Sequence, residues 1–122
     1  MLDAPTWRRL FRLKGLYNGI TPWVVLASIS PPGDRLYFHL FLALAFCFGI
    51  GYWEVGRNLT RNRAVVVMGV GGQTCVCVFG LAHVFAGPLT PAACLELGAA
   101  LTDGAFALLF ARFLMDSRWR AE

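Results

Sequence analysis

"RLYFHLFLALAFCFGIGYWEVGRNLTRNRAVVVMGVGGQTCVCVFGLAHVF", residues 35–85, contains two long apolar runs split by a basic segment, "RNLTRNR" at 57–63. Each run is about 20 residues, the length that carries a helix across one bilayer core. Every Lys or Arg between Leu36 and Phe85 falls in that segment, as Arg57, Arg61 and Arg63. The pattern repeats outward. A further run covers about 10–29 before this stretch, and another about 92–115 after it.

The four runs predict an all-α integral membrane four-helix bundle in one domain, residues 1–122. Its spans lie at about 10–29, 36–56, 64–86 and 92–115. Uninterrupted runs of this length are too long for barrel strands. Composition agrees: 57% of residues are hydrophobic and only 15% charged, against about a quarter charged in soluble domains. Mean hydropathy is +0.59. The formal net charge of +4 sits at the ends of the runs, so anionic lipid headgroups, not nucleic acid, are the expected partner. Asn18, Thr21 and Pro22 interrupt the first run, which reads as a retained span and not a cleaved leader.

Charge placement sets the expected topology. Ten of the eleven Lys and Arg residues occupy three segments. Arg8, Arg9, Arg12 and Lys14 precede or open the first span. Arg57, Arg61 and Arg63 lie between the second and third. Arg112, Arg118 and Arg120 end the chain. Short basic flanks stay on the cytoplasmic side, so both termini are expected there, with "SPPGDR" (30–35) and "GPLTP" (87–91) outside. Arg12 and Lys14 are expected to snorkel to the headgroups. Trp7, Trp53 and Trp119 are expected in the inner aromatic belt. Pro22 is expected to kink the first span.

Without a hydrophobic drive between helices in lipid, small residues must let backbones approach. Candidate stripes are Gly15 with Gly19; Ala43, Cys47 and Gly51; Gly69, Gly72 and Gly80; and Ala100 with Gly104. Cys47, Cys75, Cys77 and Cys94 form no CxxC, and Cys75 and Cys77 project from nearly opposite helix faces. They read as buried apolar thiols.

Ionisable side chains within spans are the site candidates, because charge in a bilayer is costly. His39, His83 and Glu96 all sit about one turn from the outer ends of their spans. Two imidazoles and a carboxylate can ligate a metal or pass a proton. They can equally hydrogen-bond one another, and no local metal-ligand spacing supports them. Asp103 is deepest, on one face with Glu96, and an interhelical hydrogen bond to Gln73 would satisfy both groups. Glu54 near the inner end of the second span can pair with Arg57, three residues on, or with Arg112.

Three segments carry a resemblance to a known family: "GLYNGITPWVVLA" early, "GIGYWEVGRNLTRNRAVVVMGVGGQ" in the middle and "LTDGAFALLFARFL" late. They resemble small four-span bacterial membrane proteins of the DoxX-like type. The resemblance implies a four-helix bundle in the bacterial inner membrane, with a few relatives accompanying quinone-reducing or respiratory assemblies. Many similar sequences carry Lys where this chain has Gln73. If that Lys pairs with the span-four Asp, Gln73 keeps a hydrogen bond but loses the ion pair.

No catalytic set stands out. The functional expectation is a non-catalytic accessory or scaffold subunit of a larger inner-membrane complex, with a membrane protein partner or a second copy of itself. One alternative is a redox component binding quinone or a metal near His39, His83 and Glu96. Another is a small proton-coupled transporter acting as an oligomer through Asp103 and Glu96.

Overall fold

The computed structural model describes residues 2–28 and 35–116. Among them the regular structure is entirely helical: α1 (Ala4–Ser28), α2 (Arg35–Arg57), α3 (Arg63–Phe85) and α4 (Pro91–Met115). Three of these, α2, α3 and α4, are long and apolar enough to cross a membrane. α1 is as long but carries four basic residues in its first three turns. Most of the "SPPGDR" turn, and Arg118, Trp119 and Arg120, lie outside the described residues.

The chain divides into two compact units. The first holds α1, α2 and the loop that follows; the second begins at Val66 and holds most of α3 with α4.

α1 starts six residues before the expected span, because Asp3 caps it. The Asp3 carboxylate accepts from the Thr6 N–H at 3.0 Å, satisfying one of the unpaired donors of the first turn. Hydrogen bonds from the Thr6 hydroxyl and N–H hold the Asp3 carboxyl below its ordinary value. The helix then continues through Pro22 to Ser28.

α1 and α2 run antiparallel and meet backbone to backbone at glycine. A Cβ on Gly15 would lie 2.9 Å from the Trp53 nitrogen and 3.0 Å from the Gly49 oxygen. A Cβ on Gly49 would lie 2.7 Å from the Gly19 nitrogen. Further along, one on Gly56 would lie 3.0 Å from the Arg8 carbonyl oxygen. The α2 contact therefore runs through Gly49 and Gly56. The expected Ala43, Cys47, Gly51 stripe lies elsewhere: Ala43 and Cys47 are exposed, and Gly51 faces the Val65 side chain. Beside the crossing, Trp7, Phe11, Tyr52 and Phe48 form an aromatic ladder with centroid separations of 6.4, 6.5 and 6.0 Å.

This ladder corrects two expectations. Trp7 is fully buried and so faces packed protein, not headgroups. Lys14 is also fully buried, with its ammonium 4.7 Å from the Tyr17 ring centroid, and does not snorkel. The cause is helical spacing. Ala4, Trp7, Phe11, Lys14, Gly15 and Pro22 share the inward stripe of α1. Arg12 is one face away, exposed, with its guanidinium 5.9 Å from the Trp53 ring centroid.

The basic loop is organised by one side chain. Asn58 Oδ1 accepts from the Thr60 N–H, the Thr60 hydroxyl and the Arg61 N–H at 2.9–3.1 Å, a side-chain-closed turn. Leu59 is buried beneath it.

In the second unit, α3 and α4 form an antiparallel hairpin whose register follows from three contacts. A Cβ on Gly104 would lie 2.7 Å from Cys77 Sγ, and one on Gly80 would lie 2.9 Å from the Ala100 Cβ. His83 meets Glu96 one turn nearer the connection. Here the expected Gly80, Ala100 and Gly104 do line the packing. Thr90 closes the turn before α4: its hydroxyl accepts from the Ala93 N–H at 3.1 Å, and Pro91 follows at the first helical position. Thr90→Ala removes this cap and is expected to destabilise the protein by about 1 kcal/mol. Thermal unfolding in detergent followed by circular dichroism measures it, and an unchanged midpoint would refute the assignment.

All four cysteines are free. Cys47, Cys75 and Cys94 are exposed, correcting the expectation of buried thiols. They lie among the outward apolar side chains of their helices, where a small weakly polar thiol is compatible with lipid.

Candidate functional site

The ionisable side chains are distributed by the helix register. His83, in the last turn of α3, and Glu96, in the second turn of α4, are brought together by the short 86–90 connection. His83 Nδ1 lies 2.9 Å from Glu96 Oε1 and 3.0 Å from Oε2. Both carboxylate oxygens can only accept while Glu96 is ionised, so Nδ1 carries the proton and donates to them. That fixes the tautomer of a neutral ring and leaves Nε2 as an acceptor. The His83 side chain is 78% exposed and Glu96 40%. The pair is chemically an imidazole oriented by a carboxylate, with one nitrogen turned away from its partner.

His39 belongs to the first unit. Its Nδ1 is paired with the Arg35 carbonyl one turn earlier in α2, and its ring stands edge-on to Phe38. Among the described residues no group of three or more His, Cys, Asp or Glu side chains is arranged to hold a metal ion.

Gln73 is buried in α3 and Asp103 is half-buried in α4. The hairpin register places Asp103 level with Cys77. Gln73 is four residues away along α3, about 6 Å nearer the basic loop. Two hydroxyls at these levels are satisfied within their own helices. Thr74 donates to the Val70 carbonyl at 2.7 Å and Thr102 to the Gly98 carbonyl at 2.8 Å. Such back-bonding is how a hydroxyl is accommodated where no water is available.

At the opposite end of α2, Glu54 and Arg57 form the expected i,i+3 pair at 3.0 Å. Both side chains are substantially exposed, so the pair contributes little to stability. Arg112 lies exposed in the last turn of α4.

Sequence reading missed the burial of Lys14. The signal was present, because Trp7, Phe11 and Lys14 recur at helical spacing. A basic residue near a span end was instead assigned to the headgroups on charge alone. Comparison with known proteins adds no relative: no family model, curated protein or solved structure matches this chain.

Proposed function

We propose that this chain is a non-catalytic integral membrane subunit, a four-span bundle of the DoxX-like type that accompanies a larger bacterial inner-membrane complex. The observation that carries this reading is where the apolar residues point. In α2, α3 and α4 only 17% of the most apolar window is buried. Leu40, Phe41, Leu44, Val67, Met68, Val78, Phe79, Leu101 and Leu108 are all more than half exposed. Outward apolar surface on this scale needs lipid or another membrane protein to cover it. The basic segments at the N-terminus, at 57–63 and at the C-terminus support cytoplasmic termini.

A second reading rests on the His83–Glu96 pair. With Nδ1 held by the carboxylate, Nε2 of His83 can accept a proton from a quinol hydroxyl or enter the coordination of a metal. This would make the chain a redox component of the same membrane.

One preparation separates the two. The protein is extracted from its native membrane in mild detergent, and everything retained is identified by mass spectrometry. Stoichiometric protein partners are expected. Recovery as a lone chain would overturn the accessory reading. Bound quinone or metal that disappears in His83→Ala would establish the second.

A further inference from the structure

The outward face of α1 is built differently from those of the other helices. Thr6, Arg9, Leu10, Arg12, Leu13 and Leu16 line an open groove of about 430 Å³ whose wall is almost wholly apolar, the arginines contributing their methylene stems. At 100° per residue, Arg9, Leu13, Leu16 and Ile20 fall on one narrow stripe, with Arg12 at its border. Leu13, Leu16 and Ile20 are 57%, 49% and 57% exposed.

Charge and apolar surface are separated along this stripe. The arginines occupy its beginning, and from Leu13 onward its side chains are aliphatic. From Arg9 to Ile20 the helix rises about 16 Å, close to half of the roughly 30 Å hydrocarbon core. The stripe therefore presents cations at headgroup level and an aliphatic track one leaflet deep. No Asp or Glu occurs within α1; the Asp3 cap just before it feels the charge of Arg9, but its carboxylate is engaged by the Thr6 N–H. The Arg12 guanidinium stands over the Trp53 ring, which limits its freedom before a ligand arrives.

We propose that this groove is a binding site for one anionic phospholipid. The phosphodiester lies at the rim, on the exposed guanidiniums of Arg9 and Arg12, and one acyl chain runs along Leu13, Leu16 and Ile20. Arginine suits the role because its planar fork donates two parallel hydrogen bonds to phosphate oxygens. The proposal rests on α1 lying in the membrane. Accessibility tests that premise separately: in a cysteine-free chain in vesicles, Leu16→Cys and Ile20→Cys should resist a water-soluble maleimide, and rapid labelling of both would show that α1 is not embedded.

The test uses the full chain in detergent micelles titrated with phosphatidylglycerol or phosphatidylcholine, with bound lipid counted by native mass spectrometry. The wild-type protein is expected to prefer phosphatidylglycerol. A basic side chain near an anionic lipid surface multiplies binding about fivefold. Arg9→Gln should thus reduce that preference about fivefold, and the Arg9→Gln, Arg12→Gln double variant about 25-fold. Arg61→Gln, on the loop, should leave it unchanged. Leu16→Trp fills the groove without altering charge and should also weaken binding; it carries the test if the arginine variants do not fold. Equal retention of both lipids by the wild-type protein would overturn the proposal. So would an equal loss in Arg61→Gln. Full competition by inorganic phosphate with Leu16→Trp unaffected would overturn it in favour of a bare phosphate site.

Discussion

Gly49→Val is expected to separate α1 from α2 and to produce a large stability loss in the first unit. The reason is what surrounds position 49. A Cβ there would stand 2.7 Å from the Gly19 nitrogen, 3.0 Å from the Asn18 carbonyl carbon and 3.0 Å from the Gly15 oxygen. All three are backbone atoms, so no rotamer change relieves the clash and the helices must move apart. Overpacking of this kind costs about 1–3 kcal/mol for a methyl, and valine adds two more carbons. Separation also opens the ladder of Trp7, Phe11 and Tyr52. Gly49→Ala should fall within that range and Gly49→Val at or above its top. Gly19→Ala supplies the control, because nothing lies within 4 Å of its Cβ. It should be neutral, or stabilising by up to about 1 kcal/mol through helix propensity. The measurement is unfolding in mixed micelles with rising denaturing detergent, read by tryptophan fluorescence. Equal effects at positions 19 and 49 would show that the crossing point is misplaced.

The second large effect is conditional, which makes it a sharper test of the α3–α4 register. Gly104→Ala places a methyl 2.7 Å from Cys77 Sγ but 3.5 Å from Cys77 Cβ. The sulfur alone is in the way. Gly104→Ala should therefore destabilise by about 1–3 kcal/mol. Cys77→Ala should cost less than about 1 kcal/mol, since one sulfur atom on a half-exposed residue is lost. The double variant should be more stable than Gly104→Ala, with a favourable coupling of about 1 kcal/mol or more, as expected for residues in direct contact. Strictly additive effects would mean that positions 77 and 104 do not face each other. Cys75→Ala in place of Cys77→Ala should give no rescue, because the two cysteines project from different faces of α3.

Much of the architecture was legible in the chain. The apolar runs at 36–56, 64–86 and 92–115 are helical to within one residue at each end, as α2, α3 and α4, whereas α1 starts six residues before the first run. Long apolar runs bounded by arginine or proline leave the backbone few alternatives to helix. The Glu54–Arg57 pair was legible for the same local reason, since both partners lie on one helix. His83 and Glu96 were placed at one depth by counting from the 87–91 turn, and the hairpin joins them. Cys47, Cys75 and Cys94 were misread because apolar neighbours imply a core in water and an exterior in lipid.

Within one helix, 3.6 residues per turn and side-chain chemistry are sufficient, so element type, length and i,i+3 pairing belong to the sequence. Which glycine meets which belongs to the tertiary structure. Gly15 and Gly19 are equivalent as a motif. Yet a Cβ on Gly15 would strike the α2 backbone, and one on Gly19 would meet nothing, because the crossing angle and rotation of α1 select one. The same rotation turned Lys14 inward among Trp7 and Phe11 and left Arg9 outward above Leu13 and Leu16. Packing decided between two basic residues that composition could not distinguish.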